Sequence, residues 1–243
     1  MKPSTLVKGL AGALVCALAL PAMAGVFSVT PVRINMAPRD RATAVTITND
    51  GDEELVMQAD IYAWSQKPGG EDELVLSEDL ILSPPILKLA PRSRQVVRLA
   101  RVRVTNSDRQ QFYRLIVREV PEAKPAAKDV QLQVALAFSL PVFITPPKNN
   151  RAMECAARRT AADTLAVECE NTGDTFLQLR DLALANSAGE KIASRDSGVY
   201  ILPGIKRTID IKRAEGRVPG GKLKLAVTLD DGATQAFDVT VPE

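Results

Sequence analysis

Large apolar side chains at Leu132, Val134, Leu136, Phe138 and Leu140 alternate with glutamine, alanine and serine. A period of two predicts a β-strand over 131–144 with one strongly apolar face. That face either packs against the protein's own core or is offered to another chain. Shorter runs of the same kind precede it at 26–36, 42–49, 54–66, 72–77, 85–91, 94–102 and 111–120. Turn-forming clusters separate them, among them Asn49-Asp50-Gly51-Asp52, Lys67-Pro68-Gly69-Gly70 and Ser83-Pro84-Pro85. No run keeps a 3.6-residue period over three turns. The spacing predicts an immunoglobulin-like sandwich of about seven or eight strands.

Two prolines followed by Lys148-Asn149-Asn150 end the strand and stiffen the chain, which places a boundary there. Beyond it short strands resume, with turns at Asn171-Thr172-Gly173-Asp174, Ser187-Ala188-Gly189, Pro203-Gly204 and Asp230-Asp231-Gly232. The expected fold class is therefore all-β, with two immunoglobulin-like β-sandwich domains over 25–147 and 148–243.

The first 24 residues follow a different pattern. Lys2 and Lys8 precede an apolar run from Gly9 to Leu20, and Ala22-Met23-Ala24 is a small-x-small cleavage site. We read residues 1–24 as a signal peptide cleaved after Ala24. A short transmembrane anchor is the other reading, but the run is shorter than the ~20 residues a span needs. No later run is long enough, so no direct membrane insertion is expected.

Cleavage changes the charge. The chain has 31 Lys and Arg against 29 Asp and Glu, and the leader removes two lysines and no acid. A mature net charge of zero argues against a general nucleic-acid surface. Histidine is absent throughout. That removes Ser-His-Asp and Cys-His catalysis and the commonest zinc ligands together. With no phosphate-binding glycine loop either, no enzyme, metal site or cofactor is expected. Cys155 and Cys169 lie in two strand-like stretches joined by a short turn near 161–164. In an oxidising compartment they would form a disulfide across one hairpin; two free thiols are the alternative.

Five stretches taken in order resemble the periplasmic pilus (fimbrial) chaperones of the chaperone–usher pathway, the PapD-like superfamily. They are GVFSVTPVRINM, AVTITND, SPPILKLAPRSRQVVRL, FYRLIVREVP and LQVALAFSLPVF. The wording IYAWSQ, YRL and SLPVF is similar to the archaic branch. The resemblance covers essentially the whole mature chain, more loosely in its second half.

It implies a periplasmic protein whose partners are pilin subunits and an outer-membrane usher, with no cofactor, metal or nucleic acid. A pilin is a sandwich lacking its last strand, and the chaperone supplies its own strand to fill the groove. Leu132, Val134, Leu136 and Phe138 would be the donated residues. The subunit's terminal carboxylate would bind a basic pair between the domains. Arg33 matches one member, but Pro141 stands where the better-known branch has lysine. Arg114 on a neighbouring strand is the expected substitute, and Arg98 the expected member of an interdomain ion pair. A structural pilin or adhesin is the competing expectation. It would require an N-terminal arm of alternating apolar residues, and the first domain begins within a residue or two of the cleavage site.

Overall fold

The computed structural model describes residues 27–104, 107–121 and 135–242. The expected leader lies outside them, as do Leu132 and Val134. No helix occurs among the described residues, which form eighteen strands. The first ten are β1 (Phe27–Thr30), β2 (Ile34–Met36), β3 (Ala42–Asn49), β4 (Leu55–Gln66), β5 (Asp72–Leu76), β6 (Leu80–Ser83), β7 (Ile86–Leu89), β8 (Arg94–Arg101), β9 (Gln111–Glu119) and β10 (Ala137–Ile144). They make one four-stranded sheet ordered β1-β3-β8-β6. A six-stranded sheet ordered β2-β10-β9-β4-β5 lies against it, with β7 also paired to β4.

The remaining strands are β11 (Met153–Ala161), β12 (Thr164–Asn171), β13 (Leu177–Ala185), β14 (Lys191–Asp196), β15 (Tyr200–Ile201), β16 (Lys206–Lys212), β17 (Gly221–Leu229) and β18 (Thr234–Val241). Their sheets are β11-β12-β16 and β14-β13-β17-β18, with β15 paired to β13.

Period-two alternation decides which side chains are buried. In β3, Val45, Ile47 and Asn49 turn inward while Ala42, Thr46 and Thr48 turn outward. The first core collects Ile34, Ile47, Met57, Leu87, Leu99, Leu115 and Val142 from both of its sheets. The second collects Leu165, Leu177, Leu179, Leu182, Ile211 and Leu225. Cys155 and Cys169 oppose each other in the β11–β12 ladder and are bonded. A loop of this size constrains the unfolded chain by ~3 kcal/mol in the chain-entropy account.

The run 26–36 is not one strand. Pro31 has no N–H to continue a ladder, and the chain crosses there from β1 in one sheet to β2 in the other. Two strands, β6 and β14, have no counterpart in the sequence reading. Each is too short and too closely flanked by turns to show a period.

A third apolar cluster joins the two sandwiches. Trp64 and Phe143 of the first meet Phe176 and Leu202 of the second, with Phe112, Tyr200 and Ile205 packed alongside. Phe143 and Phe176 stack with centroids 3.9 Å apart. Two glutamines bond across the same seam. Gln66 donates to the Tyr200 carbonyl (3.0 Å) and accepts from the Leu202 amide (2.9 Å). Gln110 accepts from the Phe176 amide at 2.8 Å. Gly70 adopts φ 86°, and a Cβ there would stand 2.6 Å from the Arg207 side chain, which donates to the Gly70 carbonyl. The positive φ favours glycine there, and any Cβ would also push the Arg207 side chain aside.

Candidate functional site

The site is built around β10. Along one edge it pairs with β9 over its whole length, from Ala137↔Arg118 to Ile144↔Gln111. Along the other, β2 covers only Val142, Phe143 and Ile144, in parallel. Among the described residues nothing pairs with that edge from Ala137 to Pro141. Unpaired N–H and C=O groups along such an edge are a template for another strand.

The side chains of this strand divide. Leu140, Val142 and Ile144 are buried in the first core, and Phe143 points the other way into the seam. Leu136 and Phe138 continue the apolar row of Leu140 but lie beyond the core, 37% and 39% exposed. Phe138 touches the protein only partly, edge-on to Phe27 at 4.9 Å. Within the described residues the row is core from Leu140 onward and exposed at Leu136 and Phe138.

Where the open edge stops, two arginines converge. Arg33 immediately precedes Ile34, the register partner of Val142. Arg114 is the register partner of Pro141 itself, so its side chain leaves the sheet on the face that Pro141 occupies. The guanidinium carbon of Arg114 lies over the Trp64 ring, 3.8 Å from its centroid, with only 12% of the side chain exposed. Burial lowers its pKa, opposed by Asp72, whose Oδ2 is 3.5 Å away, and by Tyr200. An arginine remains charged regardless, and stacking on an aromatic face suits its weakly hydrated plane.

Arg33 crosses the seam. It donates from Nη1 to Asp230 and from Nη2 to Gln178, and also reaches the Tyr200 hydroxyl at 3.2 Å. Burial opposes its charge, but the bonds and field of Asp230 and Tyr200 outweigh that and raise its pKa. Asp230 is bridged a second time, its Oδ1 accepting from Arg151 Nη2 at 2.9 Å; its own side chain is 7% exposed. Arg151 also holds Asp231 at 2.7 Å. Tyr200 stands between the two anchor candidates, its centroid 5.8 Å from the Arg33 guanidinium carbon and 5.3 Å from that of Arg114.

The structure therefore brings Arg33 and Arg114 to one place, and it does not bring Arg98 there. Arg98 is exposed on β8 opposite Ala44 and Ser83, both in the first sandwich. The ion pair between sandwiches is made instead by Arg33 with Asp230, because the chain ahead of β2 faces the β17–β18 turn. Asp230, Gln178, Arg151 and Tyr200 were invisible as site residues in the sequence. Asp230-Asp231-Gly232 carried only a turn signal, and Tyr200 read as one more strand residue. No cluster of three or more metal-ligating side chains occurs among the described residues.

Residues 26–150 match the family described as pili and flagellar-assembly chaperone, PapD N-terminal domain. No curated protein matches the sequence significantly. Among solved structures, a chain of the CsuC–CsuE chaperone–tip adhesion subunit pre-assembly complex, from archaic chaperone-usher Csu pili of Acinetobacter baumannii, superposes with a TM-score of 0.62. Identity is 19%, covering 90% of this chain and 100% of that one. The Escherichia coli chaperone DraB gives 0.56 at 18% identity, over 89% and 97% of the two chains. A chain from the Salmonella enterica SafA pilin–SafB chaperone complex gives 0.57 at 14%, over 90% and 97%. At these identities the likeness shows a shared fold.

Proposed function

The chain belongs to the pilus and flagellar-assembly chaperone family, and we propose that it is a periplasmic chaperone that completes pilin subunits with residues 131–144 and hands them to an outer-membrane usher. The open edge of β10, with exposed apolar residues at its start and two arginines at its end, carries this reading. An incomplete sandwich needs a strand whose main chain is free on one side and whose alternate side chains are apolar. Main-chain bonds then supply affinity and the alternating side chains fill the groove. Leu136 and Phe138, with Leu132 and Val134 ahead of them, are the donated residues. Arg33 and Arg114 take the subunit's terminal carboxylate, which fixes the register. In this reading residues 1–24 direct export and are removed after Ala24, and the compartment supports the bonded Cys155–Cys169 pair.

Direction follows from geometry. The anchor lies at the C-terminal end of the open edge, so a strand ending there in its carboxylate runs parallel to β10. Its last residue stops where β2, also parallel, begins.

Leu136→Asp tests the proposal. Co-expression of the wild type with a pilin encoded beside it should yield a soluble one-to-one complex. The variant should still fold, with only a small loss of thermal stability, and leave the pilin insoluble. A pilin equally soluble with the variant, or with no chaperone, overturns the reading.

A further inference from the structure

We infer that the phenol of Tyr200, on the second sandwich, is a third binding group for the partner's carboxylate, donating its O–H between Arg33 and Arg114; the inference rests on the anchor reading above. The ring is held from several sides. Its backbone carbonyl accepts from Gln66 at 3.0 Å, and its ring packs against Trp64 at 5.5 Å and Phe176 at 5.7 Å. The phenol oxygen accepts from Arg33 Nη2 at 3.2 Å. That bond uses a lone pair and leaves the hydroxyl proton free, since a guanidinium cannot accept. Among the described residues the phenol's one hydrogen bond is the one it accepts from Arg33, and none takes this proton.

A hydroxyl donor bonded to one guanidinium, on a ring whose centroid is 5.3 Å from another, matches a group that is anionic and accepts only. A carboxylate has those properties, and a hydrogen bond to a charged group is among the stronger kinds. A C-terminal amide is uncharged and brings N–H donors toward donors. The second sandwich thus contributes directly to recognition.

The test uses an acetylated peptide of alternating valine and threonine, once with a free C-terminus and once amidated. Binding is followed through Trp64, the sole tryptophan, beside both Arg114 and Tyr200. Wild type should prefer the free carboxylate, and Tyr200→Phe should weaken that peptide about tenfold while leaving the amide unchanged. The same loss should recur in an Arg33→Ala background. No preference in the wild type would overturn the anchor reading and this inference together. A preference kept intact by Tyr200→Phe overturns the role of Tyr200 alone. Loss only when Arg33 is present also overturns it, making Tyr200 a positioning residue for Arg33.

Discussion

Single residues in this protein carry their charge in unlike settings. Arg114 is stacked and largely buried, its one ion pair long, whereas Arg33 is spread over three partners across the seam. Replacing Arg33 by alanine should reduce the preference for a free carboxylate in the peptide assay to the part supplied by Arg114 and Tyr200, while Arg114→Lys should weaken it through loss of the planar guanidinium. Tyr113 is buried and donates to Asp79 at 3.1 Å; burial first, then the Asp79 carboxylate, push its phenol up to about 12. Because the folded state keeps this proton after the unfolded chain has lost it, the contribution is complete below about pH 10. It declines as pH rises toward 12. Stability of Tyr113→Phe, measured by denaturant unfolding from pH 9 to 12, should fall less steeply than that of the wild type; parallel curves would contradict this.

At the scale of elements, β10 is exposed at its start and core from Leu140 onward. Leu140→Ala should cost about 2–5 kcal/mol of unfolding free energy, as cavity-forming core changes do, and Leu136→Ala well under half of that. Equal losses in denaturant melts would mean that the whole row is core. Leu132 and Val134 of the expected 131–144 run lie outside the described residues and Leu136 falls just ahead of β10, but the strand was legible from its alternation over Ala137–Ile144. So were both sandwiches, through turn clusters at regular spacing. The break at Pro31 was legible as a missing donor but not as a change of sheet, which is a tertiary fact. Arg114 could be placed on the strand beside Pro141, whereas its exact opposition to that proline depends on register, which periodicity leaves free by steps of two. Asp230 and Gln178 were hidden for the same reason, since nothing local links residue 33 to residues 178 and 230.

At the scale of the molecule, the seam is a third core rather than a hinge. Its stacked Phe143 and Phe176, ringed by Trp64, Phe112 and Tyr200, are secured by the bonds of Gln66 and Gln110. Such a layer couples the two sandwiches thermally. Phe143→Ala should lower stability by about 3–5 kcal/mol and split one calorimetric transition into two. A single transition shifted as a whole would show that the sandwiches remain coupled without it.

The double use proposed for Arg33 limits what could replace it. A guanidinium has five N–H hydrogens, and Asp230, Gln178 and Tyr200 occupy three of them, leaving two unused by these partners. An ammonium group has three in all. A lysine at this position could hold the second sandwich or greet a newcomer, but it would lack the valence for both.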